Sequence, residues 1–151
     1  MTRTQLALLA FAGSALLLSG AFLFQLAGYP PCKMCLWQRW PHAAAILIGL
    51  AFMALKHRAF LWLGALAAMT TAAIGLFHAG VEQHWWEGPN TCTSAPIGDL
   101  SVDELLDSTL SAPLVRCDEI AWQLAGISMA GWNALLSLVL AGIWLTAARR
   151  A

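Results

Sequence analysis

The chain has 151 residues, of which 60% are hydrophobic and only 11% charged. Soluble domains carry roughly 25% charged residues, and one core of this size cannot enclose so much apolar surface, so a soluble globular fold is excluded and lipid is the expected solvent. Eight basic side chains balance eight acidic ones; the zero net charge is silent about nucleic acid, and no nucleic-acid partner is expected.

A helix crosses the hydrocarbon core in about 20 apolar residues. Residues 6–28 qualify as the first span, interrupted only by Ser14, Ser19 and Gln25. The stretch exceeds the usual 7–15 apolar residues of a signal peptide and no clear A-x-A cleavage site stands between its end and Cys32, so it is expected to be retained. Residues 29–35 form a short loop carrying Cys32-Lys33-Met34-Cys35. The second span covers residues 36–55. Within it Pro41 removes an N–H and disfavours helix at Trp40, which leaves open whether the regular helix starts before Pro41. The third span is residues 59–77.

Residues 80–121 form the long polar loop, and all eight acids fall between positions 82 and 119. Inside it, Ser101 and Glu104 read as a capping box, with Leu100 stapled onto Leu105. This predicts a short amphipathic helix, either on the membrane surface or packed within the loop. Residues 122–148 are the fourth span. Trp37, Trp40, Trp85, Trp86 and Trp122 fall where spans meet one surface, as an aromatic belt does, whereas Trp132 reads as an ordinary mid-span apolar residue. The chain is read as one all-α membrane domain, a four-transmembrane-helix bundle without repeats.

Four spans put both termini on one side and both cysteine-bearing loops on the other. Arg3, Lys56, Arg58, Arg149 and Arg150 mark the terminal side, and positive residues favour the cytoplasm. Both termini are thus expected to be cytoplasmic. The cysteines face the extracytoplasmic side, where disulfides persist.

The four cysteines admit three readings. Zinc sites tend to use two close-spaced pairs, but Cys92 and Cys117 have 24 residues between them. That spacing suits a loop-closing disulfide, worth about 3–4 kcal/mol in the chain-entropy model. A CxxC ring is tight, and such pairs are often labile and reactive, which favours redox exchange over two inert disulfides or a metal site. Cys35 is followed by Leu36, not His, which excludes c-type haem attachment. Arg39 follows Cys35 by four residues, so one helix would stack the two. There Arg39 would favour a thiolate or stabilise an anion on a bound acceptor; a snorkelling interfacial arginine is the plainer alternative.

Two stretches resemble the disulfide bond formation protein B (DsbB) family of bacterial inner-membrane thiol:quinone oxidoreductases. One is Pro31-Cys32-Lys33-Met34-Cys35 with Arg39 beyond it. The other is Cys117-Asp118-Glu119-Ile120-Ala121-Trp122, continuing through Gly126, Met129 and Trp132. The resemblance spans nearly the whole chain and implies a bacterial inner-membrane enzyme with its cysteines on the periplasmic side. It implies that Cys92 receives a periplasmic DsbA-like thioredoxin-fold oxidase in its reduced form, and that Cys117 passes electrons to Cys32. Cys35 would face a membrane quinone, ubiquinone or menaquinone, with Arg39 beside the head group. His84 is the better match by its distance from Cys92 to the family's histidine near the outer end of span three; His78 is the second candidate. Glu82 would orient either histidine, Met129 is a further quinone contact, and Gln38 stands where relatives are often acidic. No metal is expected. Soluble oxidases of this kind sit near roughly −120 mV, so only a stronger oxidant recharges them.

Two alternatives remain at this stage. Vitamin K epoxide reductase-like enzymes also place a CxxC near quinone, but their loop cysteines precede the CxxC, whereas here they follow it. A non-enzymatic metal-binding membrane protein would hold zinc and show no quinone dependence.

Overall fold

The computed structural model describes residues 1–89, 92, 103 and 115–150. The chain runs α1 (Arg3–Leu26), α2 (Lys33–Leu55), α3 (Ala59–Glu82), β1 (Gln123–Leu124), β2 (Ile127–Ser128) and α4 (Met129–Arg149). The amphipathic helix expected over residues 100–106 lies, apart from Asp103, outside the described residues.

Local chemistry sets the helix ends. Thr2 caps α1 through a capping box with Gln5: the hydroxyl accepts from the Gln5 N–H at 3.2 Å and the Gln5 side-chain oxygen accepts from the Thr2 N–H at 2.8 Å. Cys32 caps α2, its sulfur accepting from the Cys35 N–H at 3.2 Å. Lys56 ends α2 in the left-handed conformation, φ 54°. Ser128 caps α4 by accepting from the Gly131 N–H at 3.2 Å. Helix α2 runs unbroken through Pro41, so Cys35 and Arg39 share one helix.

The fourth helix departs from expectation. It begins at Met129 and not near Trp122, because Ala125 (φ 52°) and Gly126 (φ 77°) turn the chain back. Two successive positive φ values build the tight turn that matches strand twist, and Gln123 pairs with Ser128 across it. Trp132 therefore sits in the first turn of α4, not at mid-span. Its indole N–H donates to the Leu124 carbonyl at 3.1 Å.

The helices form an antiparallel bundle in which α1 and α3 each pack against α2 and α4. Arg150 donates to the Met1 carbonyl at 2.8 Å, so the two termini meet at one end. Near that end Leu6, Phe52, Leu61 and Trp144 form the main apolar core. The cysteines gather at the other end. Outward faces carry Leu16, Leu23, Leu47, Leu66 and Val139 exposed.

Helices α1, α3 and α4 are long and apolar enough to cross a membrane, with mean hydropathies of 2.2, 1.8 and 1.5. Helix α2 has the length but carries Lys33, Gln38, Arg39 and His42 in its first half, which lowers its hydropathy. Four spans were expected; the described helices include three that qualify by composition.

Small residues let the helices approach. A Cβ on Gly64 would stand 2.6 Å from the Trp144 ring. Close backbone approach at such positions drives helix association where lipid removes the hydrophobic drive. Gly64→Ala is expected to destabilise the bundle by about 1–3 kcal/mol, the usual cost of overpacking. Gly142→Ala, with no neighbour within 4 Å of the added carbon, is expected to be neutral. Unfolding titrations in mixed micelles check the contrast.

Candidate active site

Helix α2 starts on Cys32, and this places the dithiol. The cap turns the Cys32 sulfur inward against the first turn, 3.0 Å from the Cys35 sulfur, to which it donates. Cys32 is buried, Cys35 is half-buried, and both are reduced. The bond to Cys35, together with burial, pushes the Cys32 thiol well above the usual thiol range. The proton therefore belongs to Cys32, and charge, when it forms, belongs to the sulfur in the helix's first turn, where N-terminal peptide dipoles favour a thiolate.

Cys92 and Cys117 form a disulfide, and the Cys117 N–H donates to the Cys92 carbonyl at 2.9 Å. Both pack in one buried cluster with Cys32, Met34 and Val81, and Cys35 and Val115 lie against it. The two pairs, with 56 residues between Cys35 and Cys92, thus meet at one end of the bundle.

Cys32 and Cys35 open on a cavity of about 340 Å³ between α1, α2, α3 and α4. Its wall is mostly apolar, with Leu17, Phe24 and Trp122 among the lining residues, and polar groups converge on it from Gln38, Arg39, His42, His78, Glu82 and Asn133. An apolar pocket with a few convergent polar groups is the usual form of a small-molecule site.

Arg39 reaches across to α1. It donates to the Gln25 side-chain oxygen at 2.8 Å and to the Ala21 carbonyl at 3.2 Å, and stands 4.8 Å over the Phe22 ring. Its Nε is buried without an acceptor among the described residues. A buried, unpaired donor is costly, so the cavity is suited to a ligand that brings an acceptor. A quinone, apolar with carbonyl oxygens, fits that demand.

His78 is buried on α3. Its Nε2 lies 3.5 Å from the Cys32 sulfur and 3.9 Å from Glu82 Oε1, and its Nδ1 lies 2.9 Å from the Gln38 amide nitrogen. The Ser128 hydroxyl donates to Glu82 Oε2 in a very short contact. His84 is exposed in the turn after α3, at φ 58°, and does not line the cavity. Of the two histidines singled out in the sequence, the fold brings His78 to the dithiol. Met129 lines the cavity. Cys32, Cys35 and His78 also place their ligand atoms within 4.8 Å of one another, the one potential metal cluster among the described residues.

Sequence reasoning missed Asn133, Thr71, His42 and Ser128. Asn133 donates to the Gln38 side-chain oxygen at 2.7 Å and to the Thr71 hydroxyl at 3.1 Å. The available signal was their polarity inside apolar runs, where each such group needs a partner.

An N-capping dithiol that opens on an apolar cavity, with a buried disulfide packed beside it in a helical membrane protein, is the arrangement of a disulfide-forming membrane protein. The chain belongs to the DsbB family: the model described as "Disulfide bond formation protein DsbB" matches residues 3–147. It is 34% identical to a disulfide bond formation protein B of Verminephrobacter eiseniae over 150 residues, covering 91% of this chain and 83% of that one. It is also 34% identical to one of Shewanella amazonensis over 140 residues, covering 87% and 82%. An uncharacterized Rickettsia prowazekii protein, RP370, is 27% identical over 117 residues, covering 74% and 67%. No solved structure matches the chain. As a family member it is a multi-pass membrane protein of disulfide formation.

The segment holding Cys117 has an electrostatic clamp. Arg116 donates to both oxygens of Asp118, at 3.0 and 2.6 Å, and lies 3.4 Å from Glu119. The hydrogen bonds from Arg116 hold the Asp118 carboxyl below the usual carboxylate range. A depressed carboxyl stabilises the fold above its unfolded pKa, about 3.9, and that contribution is lost as pH falls through the folded-state value. Acidification from about pH 5 to about pH 3 is expected to loosen this segment. Phosphine reduction of the Cys92–Cys117 disulfide should then accelerate; an unchanged rate contradicts the clamp.

Proposed function

We propose that the protein is a thiol:quinone oxidoreductase of the bacterial inner membrane. It reoxidises a periplasmic DsbA-like thioredoxin-fold oxidase and passes the two electrons through its cysteine pairs to ubiquinone or menaquinone. The single observation that carries this reading is the buried cluster of both cysteine pairs, with Cys35 opening on an apolar cavity beside Arg39.

In this reading a partner thiolate attacks the loop disulfide at Cys92. The Cys92–Cys117 bond breaks and Cys117 leaves as thiolate. The second partner thiol then displaces Cys92, so the partner leaves oxidised and both loop cysteines are reduced. Cys117 next attacks Cys32 of an oxidised Cys32–Cys35 pair, and Cys35 leaves as a thiolate at the α2 N-terminus. Cys92 closes back onto Cys117, which leaves Cys32 and Cys35 reduced. Quinone, when bound, supplies the two-electron, two-proton acceptor. The chain's own residues do the rest. Arg39 Nε offers the unpaired donor for a carbonyl oxygen. The Cys32 thiol keeps its proton until Cys32 closes onto Cys35. Glu82, beside His78 on the cavity wall, is the polar group that takes that proton. Leu17, Phe24 and Trp122 exclude water.

The same reading makes α2 the fourth membrane crossing and puts the termini, with Arg3, Lys56, Arg58, Arg149 and Arg150, in the cytoplasm. Helix α2 packs against both α1 and α3, and its polar side chains Gln38 and His42 are buried, which supports a spanning role.

The test is electron transfer from a reduced thioredoxin-fold oxidase to ubiquinone by the purified protein in lipid. Activity is expected, and Cys35→Ser is expected to abolish it. Arg39→Ala should raise the quinone KM about tenfold, roughly 1.4 kcal/mol of binding, with a smaller effect on kcat. Full turnover in Cys35→Ser contradicts the mechanism, and stoichiometric zinc on Cys32, Cys35 and His78 without quinone dependence would favour the metal-binding reading. In a separate experiment, Cys117→Ser should trap the partner as a mixed disulfide on Cys92. Capture only at Cys32 overturns the assigned order.

A further inference from the structure

We infer that Gln38 and Asn133 form an amide chain that fixes which ring nitrogen of His78 carries the proton, so that His78 presents an N–H to the Cys32 sulfur. Neither residue touches that sulfur in the described contacts; both act through His78 as positioning residues.

The inference follows from which atoms can donate. The Gln38 side-chain nitrogen lies 3.3 Å from the Met34 carbonyl, and a carbonyl can only accept. The Gln38 amide is thereby oriented with its NH2 toward both Met34 and His78. The same nitrogen lies 2.9 Å from His78 Nδ1, so Nδ1 accepts. The other end of the amide agrees. Gln38 Oε1 accepts from the Asn133 side-chain nitrogen at 2.7 Å.

Asn133 is itself oriented twice over. The Thr71 hydroxyl spends its proton on the Gln38 backbone carbonyl at 3.2 Å, so the Thr71 oxygen accepts from Asn133 at 3.1 Å. The Asn133 oxygen faces His42 Nε2 at 2.9 Å and accepts from it. Two backbone carbonyls, those of Met34 and Gln38, therefore fix every amide in the chain. Gln38, Thr71 and His78 are buried, and a flipped amide would set donor against donor without water to relieve it.

A neutral imidazole that accepts at Nδ1 carries its proton at Nε2. Nε2 is the atom facing the Cys32 sulfur at 3.5 Å and Glu82 Oε1 at 3.9 Å. His78 is thus set as a donor to the sulfurs: it stabilises negative charge on the dithiol and does not offer a lone pair as base. Proton acceptance falls to Glu82, whose second oxygen is held by Ser128. The significance of this arrangement rests on the proposed relay, but its test reads ring protonation and not turnover, so the two readings fail separately.

The measurement is nitrogen NMR of the reduced full-length protein in lipid, with ring-labelled histidine and His78 assigned by its loss in His78→Asn. At neutral pH the expected spectrum has Nδ1 of His78 unprotonated and Nε2 protonated. In Gln38→Glu, the Asn133 N–H still points at the new carboxylate and favours its charged form. That carboxylate then draws a proton onto His78 Nδ1, and the Nδ1 signal is expected to shift from the unprotonated to the protonated position. A change confined to packing would move no proton between ring nitrogens. A wild-type spectrum with Nδ1 protonated overturns the inference by itself, even if the variant does not fold. An unprotonated Nδ1 in folded Gln38→Glu overturns it equally.

Discussion

A Cβ on Gly75 would stand 3.1 Å from the Ala130 carbonyl oxygen and 3.2 Å from the Asn133 side chain. The missing side chain lets α3 and α4 close together near the cysteine end, and the polar interior depends on that approach. It brings Asn133 of α4 to Thr71 of α3 and Gln38 of α2, and it brings Ser128 to Glu82. In lipid a buried polar group without a partner costs several kcal/mol, so each of these contacts also holds the helices in register. Packing and polar satisfaction are one constraint here.

The dithiol uses a different device. Helix N-termini need a side-chain acceptor for their free N–H groups, and α2 takes that acceptor from Cys32. One sulfur therefore serves both structure and chemistry. It starts the helix, and it leaves Cys35 in the first turn, opening on the cavity. The loop disulfide then packs against the same turn, which brings both cysteine pairs within one buried cluster.

Much of this was legible in the sequence because the signals are strong. Apolar runs near span length marked four helices, and parity put Cys32, Cys35, Cys92 and Cys117 at one end. The CxxC with Arg39 four residues on falls on the cavity wall, and α2 proved continuous through Pro41. The hairpin before α4 was not legible, since Gln123, Leu124 and Ala125 read as continuing apolar helix and only Gly126 hinted at a turn. The choice of His78 over His84 depends on whether the ring falls on the inward face of α3 or just past its end, a difference of less than two helical turns. Asn133 and His42 belong to no sequence motif; only tertiary packing makes them one network.

The central claim is that the two cysteine pairs share one buried cluster and exchange within it. A Cys35→Ser, Cys92→Ser double variant leaves one thiol from each pair. On mild oxidation in lipid, this account predicts an intramolecular Cys32–Cys117 disulfide, seen as complete loss of maleimide labelling under denaturing conditions with no change in monomer mass. Two thiols that stay fully modifiable after oxidation would contradict it.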